Sequence, residues 1–175
     1  MPILLRLLLV FVLGGFAWYM VDQDRRVTEA VEAQEALANT GCTVASPVPM
    51  NGEMLVSTGG GEHKLTIHNA PGTDAVVKLK DRNQETVLAM YVRAGATASA
   101  SVPSGSLQFQ YATGRNYSND CGRFLQDMQA SKDPDYEVYE TTRQGNYVYT
   151  SDMTYTLKRV SNGNFQPSSM SNSAF

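Results

Sequence analysis

The sequence predicts a mainly β protein: an antiparallel β-sandwich preceded by one N-terminal transmembrane helix and a helical stalk. Three observations carry that expectation. From His63 onward apolar residues recur at every second position, the signature of half-buried strands. Turn-forming residues interrupt these runs at short intervals, with no helix-length apolar period between them. Residues 1–21 form an apolar block unlike anything that follows.

A chain of 175 residues holds one ordinary domain plus appendages. Hydrophobic residues make up 42% and charged residues 18%, a balance that suits a folded core and argues against general disorder. Lys and Arg number 14 against 17 acids, and the basic residues are scattered. Nucleic-acid binding needs a clustered basic surface that neutralises phosphates, so that class is excluded.

The anchor comes first. Between Pro2 and Val21 the only charge is Arg6, and Leu7 to Val21 is uninterrupted apolar sequence ending near Trp18 and Tyr19. About 20 apolar residues cross a bilayer as a helix. Arg6 lies close enough to the end to reach the headgroups, and Trp18 and Tyr19 form an interfacial aromatic pair. The alternative is a cleaved signal peptide with Gly15-Phe16-Ala17 as its processing site. The apolar block runs past that site into bulky residues, which favours a retained signal anchor.

Residues 22–39 follow as the stalk. Val27, Ala30, Val31, Gln34, Leu37 and Ala38 take helical spacing, and Glu29, Glu32 and Glu35 fall off that stripe. Asn39 and Gly41 supply the stop. Residues 40–62, with two prolines and Gly59-Gly60-Gly61, read as a linker carrying one short strand at Met54 to Ser57.

The β-sandwich is expected over 63–161. In it Leu65 and Ile67 share a face, as do Ala75, Val77 and Leu79 with Lys78 and Lys80 opposite. The run from Thr86 to Val92 is apolar on both faces, as a central strand is. Leu107, Phe109 and Tyr111 alternate with Gln108 and Gln110. Further strand candidates lie around Tyr139, Tyr147 to Tyr149 and Tyr155. Turns are expected at 69–72, 81–83, 94–95, 103–105 and 162–163. The polar tail, 162–175, is expected to be disordered.

Charge leaves the orientation of the anchor nearly balanced, since Arg6 and the amino terminus face Arg25 and Arg26 across it. The cysteines arbitrate. Cys42 and Cys121 are an even pair flanking the domain body, which suggests a disulfide and so an exported domain. Localisation at the inner membrane, with the C-terminal domain on the periplasmic side, follows from that reading. Lipid modification at Cys42 is disfavoured, because Asn39 stands where an aliphatic residue is wanted and the apolar block stops some twenty residues earlier.

Catalytic chemistry has little to build on. His63 and His68 are five apart, so on a strand they face opposite ways and cannot pinch one metal. No Cys-x-x-Cys occurs, and Gly59-Gly60-Gly61 lacks the lysine and helix of a phosphate loop. No catalytic residue, metal or cofactor is assigned.

The densest stretch is 111–124, with Arg115, Asn116 and Tyr117 in an expected loop between Gly114 and Cys121. A charged fork, an amide and an aromatic face together suit carboxylates, sugars or protein surfaces. The competing reading is structural: Gly114 permits a turn, Tyr117 folds back over the sandwich, Asp120 pairs with Arg115 or Arg123, and Cys121 staples the loop. Asn116-Tyr117-Ser118 also matches a glycosylation sequon, a pattern short enough to arise by chance.

Asn69, Asp74 to Leu79, Tyr91 to Gly95, Pro103, Gly105, Ala112 to Gly114, Phe124 and Gly163-Asn164 together resemble a group of small bacterial β-rich domains of unassigned function. Such domains are often joined to a membrane anchor or another small module. The resemblance covers most of Leu65 to Asn164. It implies tryptophan at position 117, where this chain has tyrosine, and brings no catalytic residue with it.

The expected function is a non-enzymatic, membrane-anchored interaction module, an accessory or assembly subunit whose partners are the membrane and a membrane-protein complex. Two alternatives stay open: an envelope glycan-binding module using the 114–121 loop, and an undetected hydrolase.

Overall fold

The computed structural model describes Cys42, residues 44–157 and residues 165–175. The expected anchor and stalk, with Arg6, Trp18 and Tyr19, lie outside these residues, as does the expected turn at 162–163. The described chain is all β, with antiparallel sheets and one parallel pairing.

Twelve strands follow in order: β1 (Met54–Ser57), β2 (His63–His68), β3 (Asp74–Lys80), β4 (Thr86–Val92), β5 (Thr97–Val102), β6 (Gly105–Ser118), β7 (Arg123–Lys132), β8 (Glu137–Tyr139), β9 (Thr142–Gln144), β10 (Tyr147–Tyr149), β11 (Asp152–Thr156) and β12 (Ser168–Met170). The larger sheet runs β1-β4-β3-β6-β7-β12, with β8 also paired to β6. The smaller runs β11-β2-β5, and β9 and β10 form a hairpin of their own.

The period-two pattern explains the core. Leu65 and Ile67 of β2, Ala98 and Val102 of β5 and Tyr155 of β11 pack on Val77, Leu79, Leu88, Met90, Val92, Leu107 and Phe109 of the larger sheet. Residues of both sheets thus share one apolar layer. Phe109 and Tyr155 stack across it, centroids 3.9 Å apart and ring planes nearly parallel. Burying side chains of this size contributes about 1.5–3 kcal/mol each. The central-strand reading of Thr86 to Val92 fits: β4 lies between β1 and β3, with Leu88 to Val92 buried.

A second cluster occupies the opposite face of the larger sheet. Val76, Tyr91, Ala112, Tyr117, Phe124 and Ala130 are buried there, with Leu55, Met128, Met170 and Phe175 packed against them. Six of these, Tyr117, Phe124, Met128, Ala130, Met170 and Phe175, come from segments not expected to form strands. Residues 165–175 were expected in a disordered tail; instead β12 pairs antiparallel with β7, Ser168 opposite Lys132 and Met170 opposite Ala130. Composition misled because a strand of Ser-Ser-Met needs no apolar face when it borrows the backbone ladder of a neighbour. The compact unit runs from Cys42 to Phe175, beyond the boundaries expected at 63 and 161.

The expected 114–121 loop is also corrected. β6 continues to Ser118, placing Arg115, Asn116 and Tyr117 in a strand paired with β7. A bulge interrupts this pairing: Thr113 lies opposite Gln129 but Arg115 lies opposite Gln126. The extra residue is on β7, where Asp127 has φ 53°, and Asn116 has φ 54°. Gly114 makes no turn. A Cβ there would meet the Phe124 Cβ at 2.5 Å, so glycine leaves room for the ring.

Candidate functional site

The sequence-marked residues 115–117 do not converge on a ligand. Arg115 and Asn116 are exposed, but Tyr117 is buried, edge-on to Tyr91 at 5.4 Å and to Phe124 at 5.3 Å. Burial pushes the Tyr117 phenol above its ordinary value. Arg115 pairs with Asp127 at 3.8 Å, not with Asp120, and both side chains are more than 60% exposed, so the pair contributes little.

The staple is present. Cys42 and Cys121 form a disulfide with Cα atoms 5.9 Å apart. Beside it the Ser46 amide donates to the Tyr117 carbonyl and the Asn119 amide to Ser46 Oγ, laying the segment after Cys42 along the end of β6.

His63 and His68 point to opposite faces, buried and exposed respectively. His63 sits 2.8 Å from Ser104 Oγ, the spacing of a serine–histidine dyad. Its other ring nitrogen decides what that contact means. The Ser151 backbone amide donates to Nδ1 at 2.9 Å, so the ring proton resides on Nε2 and is donated to Ser104. A general base needs the reverse arrangement, a bare Nε2 facing the hydroxyl and an Nδ1–H held by an acceptor. This tautomer makes His63 a clamp for Ser104 and Ser151. Among the described residues no group of three side chains is placed to hold a metal.

A cleft of about 470 Å³ lies along β6, β7 and β12, lined by Tyr111, Thr113, Gln129, Ser131 and Ser169 among others. The lining offers hydroxyls and amides but no carboxylate, imidazole, amine or thiol.

The β9–β10 hairpin contains the strand expected at Tyr147 to Tyr149, but its exposure is the feature that sequence reasoning passed over. Gly145, at φ 61°, opens a two-residue turn that sets Tyr147 opposite Gln144, Val148 opposite Arg143 and Tyr149 opposite Thr142. All six strand residues are exposed. Tyr147 is 72% exposed, Val148 49% and Tyr149 53%, where side chains of this size are ordinarily covered. Alternation puts Tyr147 and Tyr149 on one face, about 6.8 Å apart along the strand. The base is fixed: Thr141 Oγ1 donates to Glu62 at 3.0 Å, and Ser151 is held by His63. A rigid root thus carries an aromatic tip. The only signal in the sequence was the Tyr-Val-Tyr alternation after Gly145-Asn146, which marks a strand without saying that both faces are bare.

No family model, curated protein or solved structure matches the chain. The resemblance to small β-rich domains therefore extends to the β-rich architecture and no further.

Proposed function

We propose that this protein is a non-enzymatic, membrane-anchored interaction module, an accessory subunit that docks on a membrane-protein partner through the β9–β10 hairpin. The observation that carries this reading is the joint exposure of Tyr147, Val148 and Tyr149 on a hairpin rooted through Glu62 and His63. Tyrosine supplies large contact area at low entropic cost and is enriched where proteins meet. A two-stranded hairpin whose six strand residues are all exposed is marginal alone, and a partner surface would complete it. The apolar segment at 1–21 supports the anchor, and the Cys42–Cys121 disulfide supports an oxidising, extracytoplasmic compartment.

The test is a photo-crosslinker at Tyr147 in the full chain, activated in native membranes. One discrete adduct, abolished by Tyr147→Ser with Tyr149→Ser, is expected. A crosslinker that labels nothing above background would end this reading.

A glycan-binding reading keeps one supporting observation, now moved from 114–121 to the hairpin: two tyrosines share a face, flanked by Gln144 and Thr142. Retention on cell-wall polysaccharide, lost in the same double variant, would favour it over a protein partner.

A further inference from the structure

We propose that β5 pairs edge to edge with β5 of a second copy, joining two three-stranded sheets into one of six strands. The inference is independent of the hairpin and rests on which backbone groups of β5 are already used.

Among the described residues strand β5 is an edge strand, bonded only to β2. The Asn69 amide donates to the Ala96 carbonyl, while the His68 carbonyl accepts from Leu157 on the β11 side. Antiparallel pairs alternate, so Ile67–Ala98, Leu65–Ala100 and His63–Val102 are the bonded pairs. The amides and carbonyls of Thr97, Ser99 and Ser101 therefore point away from β2. One of them confirms the direction: the Thr97 carbonyl accepts from Asn51 Nδ2 at 2.9 Å.

Edge strands are ordinarily protected by charge, proline, bulges or brevity. The other edges show such devices: β1 has four residues and a register shift, β12 has three residues, and β11 begins with Asp152. Strand β5, Thr-Ala-Ser-Ala-Ser-Val, has six residues, no charge, no proline and no register shift against β2. Its small side chains let another backbone approach, and an uncharged edge meets its own copy without repulsion.

The free groups also dictate the register. A two-fold axis at Ser99 would set Thr97 opposite Ser101, and the Thr97 carbonyl is taken. An axis at Ser101 would bring in Pro103, which has no amide hydrogen. An axis at Ala100 sets Ser99 opposite Ser101 of the second copy, using free donors and acceptors at both, and confines Pro103 to the end of the pairing opposite Thr97, where the missing amide faces the carbonyl already taken by Asn51. Each of these symmetric pairs exchanges both amide–carbonyl bonds, giving a closed, isologous dimer.

The experiment uses the full chain in mild detergent. Ser99→Cys and Ser101→Cys chains are mixed and gently oxidised; the native cysteines are already paired. A covalent dimer is expected in the mixture and not in either variant alone, because like positions sit about 9 Å apart across the axis, beyond disulfide reach. Sedimentation of the otherwise unaltered chain should show a dimer that Ser101→Pro removes, since that amide makes no bond within the monomer. Amide hydrogen exchange covers the case in which Ser101→Pro fails to fold: Ser99 and Ser101 should be protected at high concentration and fast on dilution. A chain that stays monomeric, equal crosslinking in all three samples, or fast exchange of both amides in the dimer would each overturn the proposal.

Discussion

The run Gly59-Gly60-Gly61 offers a sharp test, because three identical residues sit in different surroundings. A Cβ on Gly61 would lie 1.8 Å from the Val102 carbonyl oxygen and 2.5 Å from the Pro103 nitrogen. Ordinary contact begins near 3.4 Å, so two backbones would have to part by about 1.5 Å. Backbone cannot rotate away as a side chain does. Overpacking of this kind costs about 1–3 kcal/mol. The displacement also falls where His63 pairs with Val102 and bonds Ser104, which adds about 1 kcal/mol for a weakened hydrogen bond. Gly61→Ala should therefore destabilise by about 3 kcal/mol. For a β unit spanning 42–175, with unfolding entropy of about 2.1 cal/mol/K per residue, that lowers Tm by roughly 10 °C. A Cβ on Gly60 meets nothing within 4 Å. Gly60→Ala should be neutral or stabilise by up to about 1 kcal/mol by restricting the unfolded chain. Thermal and urea unfolding followed by far-UV circular dichroism measure both. If the two variants agree within about 0.5 kcal/mol, the close approach of Gly61 to Val102 does not shape the fold.

Reduction of Cys42–Cys121, which are 79 residues apart, should cost about 4–5 kcal/mol in the chain-entropy account, measured by urea unfolding with and without a reductant; a loss below about 1 kcal/mol would refute that account. Tyr117→Ala should lose about 3–4 kcal/mol of stability, against less than about 0.5 kcal/mol for Tyr147→Ala, and equal losses would contradict the burial that separates them. Stability should rise with pH between about 8 and 10. Burial, with Lys80 second, holds Lys78 down to about 8 in spite of its contacts with the Phe175 ring and carbonyl, so over that window the unfolded chain binds the extra proton. Above pH 10 the sign reverses, because burial keeps Tyr91, Tyr117, Tyr139 and Tyr155 protonated while their unfolded counterparts ionise. Lys78→Met should flatten the rising limb in a series of denaturation curves, and an unchanged slope would assign it elsewhere.

Much of the body was legible because its strands carry their burial in a two-residue period. Leu65 and Ile67, Val77 and Leu79, and Leu107 and Phe109 each announced the face they bury, and the lone apolar Met54 to Ser57 was recognisable as a strand. Partner choice was not legible. Nothing in Asp-Met-Thr-Tyr-Thr says that β11 lies parallel to β2, because alternation encodes a face and not a neighbour. Position 127 was equally silent, since an aspartate at positive φ is set by the bulge around it. The 115–117 error came from reading polar, glycine-bearing sequence as a loop, when Gly114 is there to admit Phe124. The hairpin was visible as strands, but exposure of both its faces depends on what lies beside it in space.

The parallel β11–β2 pairing has a consequence for biogenesis. Lys64 meets Asp152, 88 residues later, so one edge of β2 stays open until nearly the whole chain is available. At roughly 5–20 residues per second that delay alone is about 4–18 s. The β3–β4 hairpin closes locally and early, and β6 joins it soon after. The smaller sheet, begun with β2 and joined by β5, waits for β11 long after the central strands of the larger sheet are in place, and only β12 follows it. During that interval His-Lys-Leu-Thr-Ile-His, already paired to β5 along one edge, keeps the other edge open as a template, and a holding chaperone would find its substrate there.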